Sequence, residues 1–307
     1  MKHLESNSAQ LQSILSGFIV QHKLAPSYIK TAQKWFVPLA NKISEHQTSA
    51  GRPIIVGING CQGSGKSTLT SFLVKVLNDV FQQNTIGFSI DDFYLSKEQR
   101  LRLSKSINPL LKTRGAPGTH DIGFLESSLK HLLLGENVNL PVFDKALDDL
   151  APTSNWIPVN QEQKIIILEG WCVGVDNQHQ HELLEPVNDL EALEDEFHEW
   201  RQYVNDVLSV DYKRVFALID YMIMLKAPSF DQVFMWRCEQ EHKLIQALQQ
   251  NKNQKLETTN TMSDQEIFRF VQFYQRLTQH ALTTLPAKCD SLFTLDTTRR
   301  IKTCLHK

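Results

Sequence analysis

Gly60-Cys61-Gln62-Gly63-Ser64-Gly65-Lys66-Ser67-Thr68 puts three glycines, a lysine and two adjacent hydroxyls within nine residues. The spacing fits G-x-x-x-x-G-K-[ST], a loop that wraps polyphosphate with backbone N–H groups. The glycines keep side chains out of the approach path. Lys66 can set its ammonium between β- and γ-phosphates, and Ser67 offers a hydroxyl to Mg²⁺. The flanking residues supply the context such a loop needs. Ile54-Ile55-Val56-Gly57-Ile58 reads as a buried strand, and Leu69, Phe72, Leu73, Val76, Leu77 and Val80 recur at helical spacing. A helix beginning near Gly65 aims unpaired N–H groups and the positive end of its dipole at the phosphates. Nucleotide binding by Gly60 to Thr68 is therefore expected. Cys61 has two readings, an oxidation-sensitive thiol or a small tolerated side chain, of which the second is favoured.

Transfer of a phosphoryl group to a hydroxyl also needs a group that receives the proton. Asp91 and Asp92 follow the apolar run Thr85–Ile90 and are the best candidates. Successive carboxylates point in different directions, so one can face a substrate while the other caps or pairs locally. Asp91 is the favoured base; alternatively the pair only caps a turn. Glu169 ends the run Ile165-Ile166-Ile167-Leu168 and has the character of an acid that reaches Mg²⁺, the alternative being a structural ion pair. Arg114-Gly115-Ala116-Pro117-Gly118-Thr119-His120-Asp121 is dense enough in hydrogen-bonding groups to wall a substrate. Arg114 could grip a carboxylate or phosphate in a bidentate way. His120 is either a substrate contact or a satisfied loop histidine, and Asp121 either a substrate contact or the N-cap of the next helix. Lys145 could hold an anionic group or be solvated. Arg237 could swing over the nucleotide as part of a lid, or stand exposed on its helix.

The elements that must position these groups alternate between strand and helix. Residues 1–50 read as a helical N-terminal extension, with Leu11, Ile14, Leu15, Phe18 and Ile19 forming one stripe and Trp35, Phe36, Leu39 and Ile43 another. Strands are expected at 54–58, 85–90, 164–168, 221–225 and 291–295, the last being Ser291–Leu295. Helices are expected at 121–134, at about 231–249, and after a capping box at Ser263-Asp264-Gln265-Glu266. Residues 182–208 are acidic and read as mostly helical, and residues 249–260 as a polar loop. The pattern predicts an α/β domain over 51–307, a mostly parallel sheet with helices on both faces. In such sheets, sites gather at the C-terminal strand edge, just past which Gly60, Asp91 and Glu169 all lie.

Composition excludes several classes. At 307 residues, 41% hydrophobic and net charge -2, the chain has a core-sized apolar content and no general pull toward nucleic acid or anionic membrane. Its basic residues are dispersed, with Arg299-Arg300 adjacent near the C-terminus. Its five cysteines are far apart with no C-x-x-C pair, which argues against a zinc site or disulfide framework. Met1–Ser6 lacks the basic-then-apolar start of a signal peptide, and no apolar run reaches the roughly 20 residues of a membrane span. A cytoplasmic protein is expected.

Several motifs occur in an order that resembles one family. They are the phosphate loop, Ser89-Ile90-Asp91-Asp92-Phe93-Tyr94, Asn108-Pro109-Leu110-Leu111, the Arg114–Asp121 segment, Leu140-Pro141-Val142-Phe143-Asp144-Lys145, Leu168-Glu169-Gly170-Trp171 and Val233-Phe234-Met235-Trp236-Arg237. Met262–Glu266 adds to them. Together they resemble the D-glycerate 3-kinase family of plants and its fungal and bacterial relatives. These belong to the P-loop group that includes uridine kinase, pantothenate kinase and phosphoribulokinase. The resemblance implies a P-loop NTPase-type three-layer fold and a kinase using ATP and Mg²⁺ on a small hydroxylated substrate, D-glycerate first. It implies Asp91 as catalytic aspartate, Glu169 and Ser67 on the magnesium side, and Lys66 and Arg237 at the transferring phosphate. Asp92, Tyr94, Arg114, His120, Asp121 and Lys145 fall on the substrate side. The chain departs from the plant enzymes at Ala146-Leu147-Asp148-Asp149-Leu150-Ala151-Pro152, where those carry glycine and arginine. An acidic replacement there should weaken the grip on an anion. Other readings are a kinase for a nucleoside or pantothenate-like compound, and an ATP-binding regulatory protein with weak ATPase activity.

Overall fold

The structure, a computed structural model, describes residues 8–250 and 262–307. Residues 251–260 of the expected polar loop lie outside that range. Strand β1 (Ile54–Gly60) is buried along its whole length, as expected for a central parallel strand covered on both faces. It lies in a six-stranded sheet with β2 (Thr85–Ser89), β3 (Ile165–Gly170), β4 (Tyr221–Lys226), β5 (Ser291–Leu295) and β6 (Ile301–His306), in the order β6-β5-β4-β1-β3-β2. All neighbours are parallel except β5 and β6.

Strand alternation divides the core in two. Ile54, Val56, Ile58, Ile165 and Ile167 face one layer, with Leu15 and Phe18 of α1 (Ser8–Gln21), Leu39 and Ile43 of α2 (Val37–Ala50), and Phe72, Leu73 and Val76 of α3 (Lys66–Asp79). Ile55, Ile166, Leu168, Met222 and Met224 face the other. That layer holds Leu125 and Leu129 of α4 (Ile122–Leu133), Trp200 and Val204 of α5 (Glu199–Val207), and Tyr274 and Leu277 of the C-terminal helix. Helix α6 (Phe230–Gln250) precedes that last helix, α7 (Asp264–Thr284), whose capping box at Ser263 and Glu266 is present as expected. Among the described residues, no helix is long and apolar enough to cross a membrane.

The structure corrects the expected ending of the sheet. Ser291–Leu295 is followed by antiparallel β6, whose residues are half-buried or exposed. A polar edge strand of this kind leaves no hydrophobic period to read. The acidic segment 182–208 is mostly helical, as expected, but broken: Asp189–Glu194 and Glu199–Val207 are separate helices. Two of its carboxylates are buried rather than solvated. Glu191 takes Arg276 Nε and Nη2 at 2.8 and 2.6 Å, and Asp195 pairs with Arg201 at 2.8 Å. Breaking such a buried pair strands a charge. Glu191→Gln is expected to destabilise the fold by about 3 kcal/mol, read as a lower midpoint in urea unfolding; an unchanged midpoint would show that the pair adds nothing.

Candidate active site

The register of three strands brings the predicted groups together. Glu169 on β3 lies beside Ile58 of β1 on one side and Ser89 of β2 on the other. Past Ile58 the chain enters the phosphate loop, and past Ser89 it turns into the 3₁₀ segment Ile90–Phe93, which carries Asp91. Asn59 fastens this edge from below, its Nδ2 donating at 2.9 Å to both the Trp171 and Val173 carbonyls beyond β3.

The loop has the conformation its glycines allow, with φ of 78° at Gly63 and 93° at Gly65, where α3 begins. Ser67 Oγ donates to Glu169 Oε1 at 2.7 Å, and Lys66 Nζ stands 3.8 Å from Glu169 Oε2. Oε2 is buried and has no hydrogen-bond partner among the described residues. A buried carboxylate oxygen left open beside a serine hydroxyl fits a hard cation that takes oxygen ligands. Burial raises the Cys61 thiol to about 12, with Lys66 opposing, which supports the small-side-chain reading over a reactive thiolate.

The two aspartates divide their work. Asp92 Oδ2 accepts from Ser89 N at 3.2 Å while Ser89 Oγ accepts from Asp91 N, so Asp92 closes a capping box. Burial, aided by the neighbouring Asp91 charge, raises the Asp92 pKa despite that N–H. Asp91 instead faces side-chain partners: Tyr94 OH donates to Oδ1 at 2.9 Å and the distant Lys145 Nζ to Oδ2 at 3.2 Å. Burial pushes its carboxyl up, but Lys145, Lys66, His120 and the Tyr94 hydroxyl outweigh it and hold Asp91 below its ordinary value. Asp91 is therefore ionised at neutral pH.

The Arg114–Asp121 loop pairs with the segment after Asp91. Asp121 N donates to Phe93 O at 2.7 Å and Leu95 N to Thr119 O at 2.9 Å. Asp121, read as a substrate contact or an N-cap, makes the N-cap contact, its Oδ1 accepting from Phe124 N at 2.9 Å. The His120 ring stacks on Tyr94 at 4.4 Å, and its Nδ1 lies 2.6 Å from Tyr212 OH. That hydroxyl accepts from Gly118 N, which leaves its own proton for Nδ1 and assigns the imidazole hydrogen to Nε2. Burial lowers the His120 pKa to about 4, so the ring is neutral, with an Nε2–H that lacks a partner among the described residues. Gly115 is required by its neighbour: a Cβ there would collide with the hydroxyl of Tyr274.

Arg114 is not a free fork. It is paired with Asp148, which also lies 3.1 Å from buried Arg100. Sequence reasoning flagged Asp148 as unfavourable to an anion without locating its partner, 34 residues away. Lys145 and Asp148 share the turn of a short hairpin, Phe143–Asp144 paired antiparallel with Asp149–Leu150, and Lys145, 62% exposed, reaches Asp91. Arg237 is not exposed: it pairs with Glu241 at 2.7 Å, over Phe270. Tyr274, Asn59, Tyr212 and Arg299 were not singled out as site residues. Asn59, a polar residue in an apolar strand, carried a local signal; Tyr274 and Tyr212, aromatic residues on helical segments, did not. A cleft of about 950 Å³ lined by residues such as His179, Lys213 and His280 includes none of the groups above. The site is assigned from the strand ends instead.

A phosphate loop leading from a parallel strand into a helix, with an acid at the end of each of the next two strands in the sheet, is the arrangement of the P-loop class of nucleotide-binding proteins. Similarity to known proteins narrows this. The chain belongs to the Phosphoribulokinase / Uridine kinase family, whose pattern matches residues 55–194. It is 34% identical over 239 residues to an uncharacterized kinase of Schizosaccharomyces pombe, covering 73% of this chain and 79% of that protein. It is 28% identical over 246 residues to the chloroplastic D-glycerate 3-kinase of Arabidopsis thaliana, covering 77% of this chain and 49% of that one. The solved D-glycerate 3-kinase of Cryptococcus neoformans var. grubii has the same fold, with TM-score 0.69, 23% identity and coverage of 88% of this chain and 99% of that chain.

Proposed function

We propose that this kinase transfers the γ-phosphoryl group of Mg·ATP to a hydroxyl of a small hydroxy acid, with D-glycerate as the leading acceptor. The catalytic unit is residues 51–307. The observation that carries this reading is the environment of Asp91: an ionised carboxylate at the edge of the phosphate loop, held by Tyr94 and by the exposed Lys145. Asp91 receives the acceptor's proton. Loop N–H groups and Lys66 counter the charge on the phosphates, and Arg237 adds a second cation. Ser67 and Glu169 would hold Mg²⁺, which neutralises phosphate charge when bound. Lys145, Arg114 and the His120 Nε2–H are the groups for the acceptor's polar end. Similarity to D-glycerate 3-kinases supports the choice of acceptor.

One observation favours a neutral hydroxylated acceptor instead: the Arg114 guanidinium is already paired with Asp148. The acceptor panel separates the two. Phosphorylation of D-glycerate, uridine, pantothenate and glycerol is compared with Mg²⁺ and ATP saturating. Turnover of D-glycerate is expected, and Arg114→Lys should raise its KM by about tenfold, because a lysine cannot reproduce a planar fork. Turnover of a neutral acceptor with none on D-glycerate would sink the hydroxy-acid reading. ATP hydrolysis that no acceptor stimulates would point to a regulatory ATP-binding protein.

A further inference from the structure

The hairpin turn between β5 and β6 ends against the phosphate loop. Asp296 Oδ1 accepts from Thr298 N and Arg300 N at 2.8 and 2.9 Å, and Arg299 N donates to Asp296 O at 3.0 Å. Inside this turn Arg299 has φ 66°, a left-handed conformation uncommon for a long side chain. Surrounding contacts must over-determine it, and its guanidinium makes three. Nε donates to Gly63 O at 2.9 Å, Nη1 pairs with Glu239 at 2.7 Å, and the plane lies over the Trp236 ring at 5.3 Å. Trp236 is itself buried. Its Nε1 donates to Thr297 O at 2.8 Å, and its Cβ would stand 2.9 Å from any Cβ placed on Gly63. Trp236 and Glu239 flank Arg237 on α6. One side chain therefore joins the phosphate loop to the helix that carries Arg237.

We propose that Arg299 is a positioning residue for phosphoryl transfer: it fixes the Gly63 peptide of the phosphate loop and, through Trp236 and Glu239, the placement of Arg237. A trans peptide points its C=O and N–H in opposite directions. Here the Gly63–Ser64 peptide is held at both ends, its C=O by Arg299 and its N–H by Cys61 O at 3.2 Å. Without Arg299, a glycine at positive φ would be free to turn that peptide, and the loop would have to be ordered by the nucleotide at a cost in affinity. Lysine has one nitrogen and no plane, so it cannot bond Gly63 O, pair with Glu239 and stack on Trp236 together. The second half of the proposal rests on the reading of Arg237 as a cation at the transferring phosphate; the first half does not.

The test uses the full chain, with Arg299→Ala, Arg299→Lys, Arg237→Ala and the Arg237→Ala/Arg299→Ala double variant. Affinity for Mg·ATP by calorimetry needs no acceptor and reads the first half. Arg299→Ala is expected to weaken binding about tenfold, as loss of a charged hydrogen bond does, with Arg299→Lys recovering little of it. The second half is read from kcat: Arg299→Ala should lower it in the wild-type background and change it little in the Arg237→Ala background. Either Arg299 variant binding Mg·ATP within about twofold of wild type while folded would overturn the proposal. So would a fall in thermal midpoint with affinity retained, which is the signature of a purely structural pin. Equal kcat losses in both backgrounds would overturn the coupling to Arg237. If Arg237→Ala alone leaves kcat unchanged, the reading of Arg237 has failed and only the phosphate-loop half survives.

Discussion

Lys66→Ala is expected to yield a folded protein whose phosphoryl transfer is slower by about 10³-fold or more. Lys66 opens α3, with its ammonium 3.8 Å from Glu169 Oε2 and its backbone at the positive end of the helix dipole. Alanine keeps the helix, since it is the best helix former, so the backbone N–H groups of the loop survive. The loss is one fixed positive charge at the place where negative charge shifts during transfer. In a water-poor site such a preorganised charge is worth several kcal/mol. Circular dichroism would report the fold and a coupled assay the turnover. A folded variant running at the wild-type rate would remove the phosphate-loop assignment and, with it, the kinase mechanism.

Asp91→Asn is expected to lower kcat by about 10²- to 10⁴-fold while changing ATP affinity little. The amide is nearly the same size and can still accept from the Tyr94 hydroxyl, but it cannot take the acceptor's proton. Asp92→Asn should cost far less, because the Asp92 side chain serves the Ser89 N–H and an amide oxygen can do the same. A larger kcat loss in Asp92→Asn than in Asp91→Asn would transfer the role of base to Asp92. The wild-type pH profile gives a second check. Lys145, Lys66, His120 and Tyr94 depress the Asp91 pKa against burial, so the ionised base persists above that lowered value and is lost only as pH falls through it. The acid limb of kcat/KM assigned to Asp91 should therefore lie below roughly pH 4, the ordinary carboxylate range. A limb near neutrality would mean that another group is the base.

The local parts of this protein could be read from the chain alone. The phosphate loop declares itself through residues within nine positions of each other, Gly60 to Thr68, set between an apolar strand and an amphipathic helix. Asp91 and Glu169 could be placed because each follows an apolar run, and a parallel sheet gathers such strand ends at one edge. Which aspartate caps and which faces outward was decided in space, by Tyr94 and by Lys145 arriving from 54 residues away. Asp121 offered two roles in sequence, and the fold shows it capping α4. The state of Arg114 was likewise hidden: sequence predicts a cation, and only the hairpin carrying Asp148 shows that its fork is taken. The strongest case is Arg299, which reaches Gly63 across 236 residues because an unforeseen antiparallel edge strand turns the chain back past the phosphate loop. Helix periods, strand runs and glycine turns are set by neighbours along the chain and leave a pattern there. Pairings between charged side chains depend on where distant segments cross, and that is settled by packing the two apolar faces of the sheet.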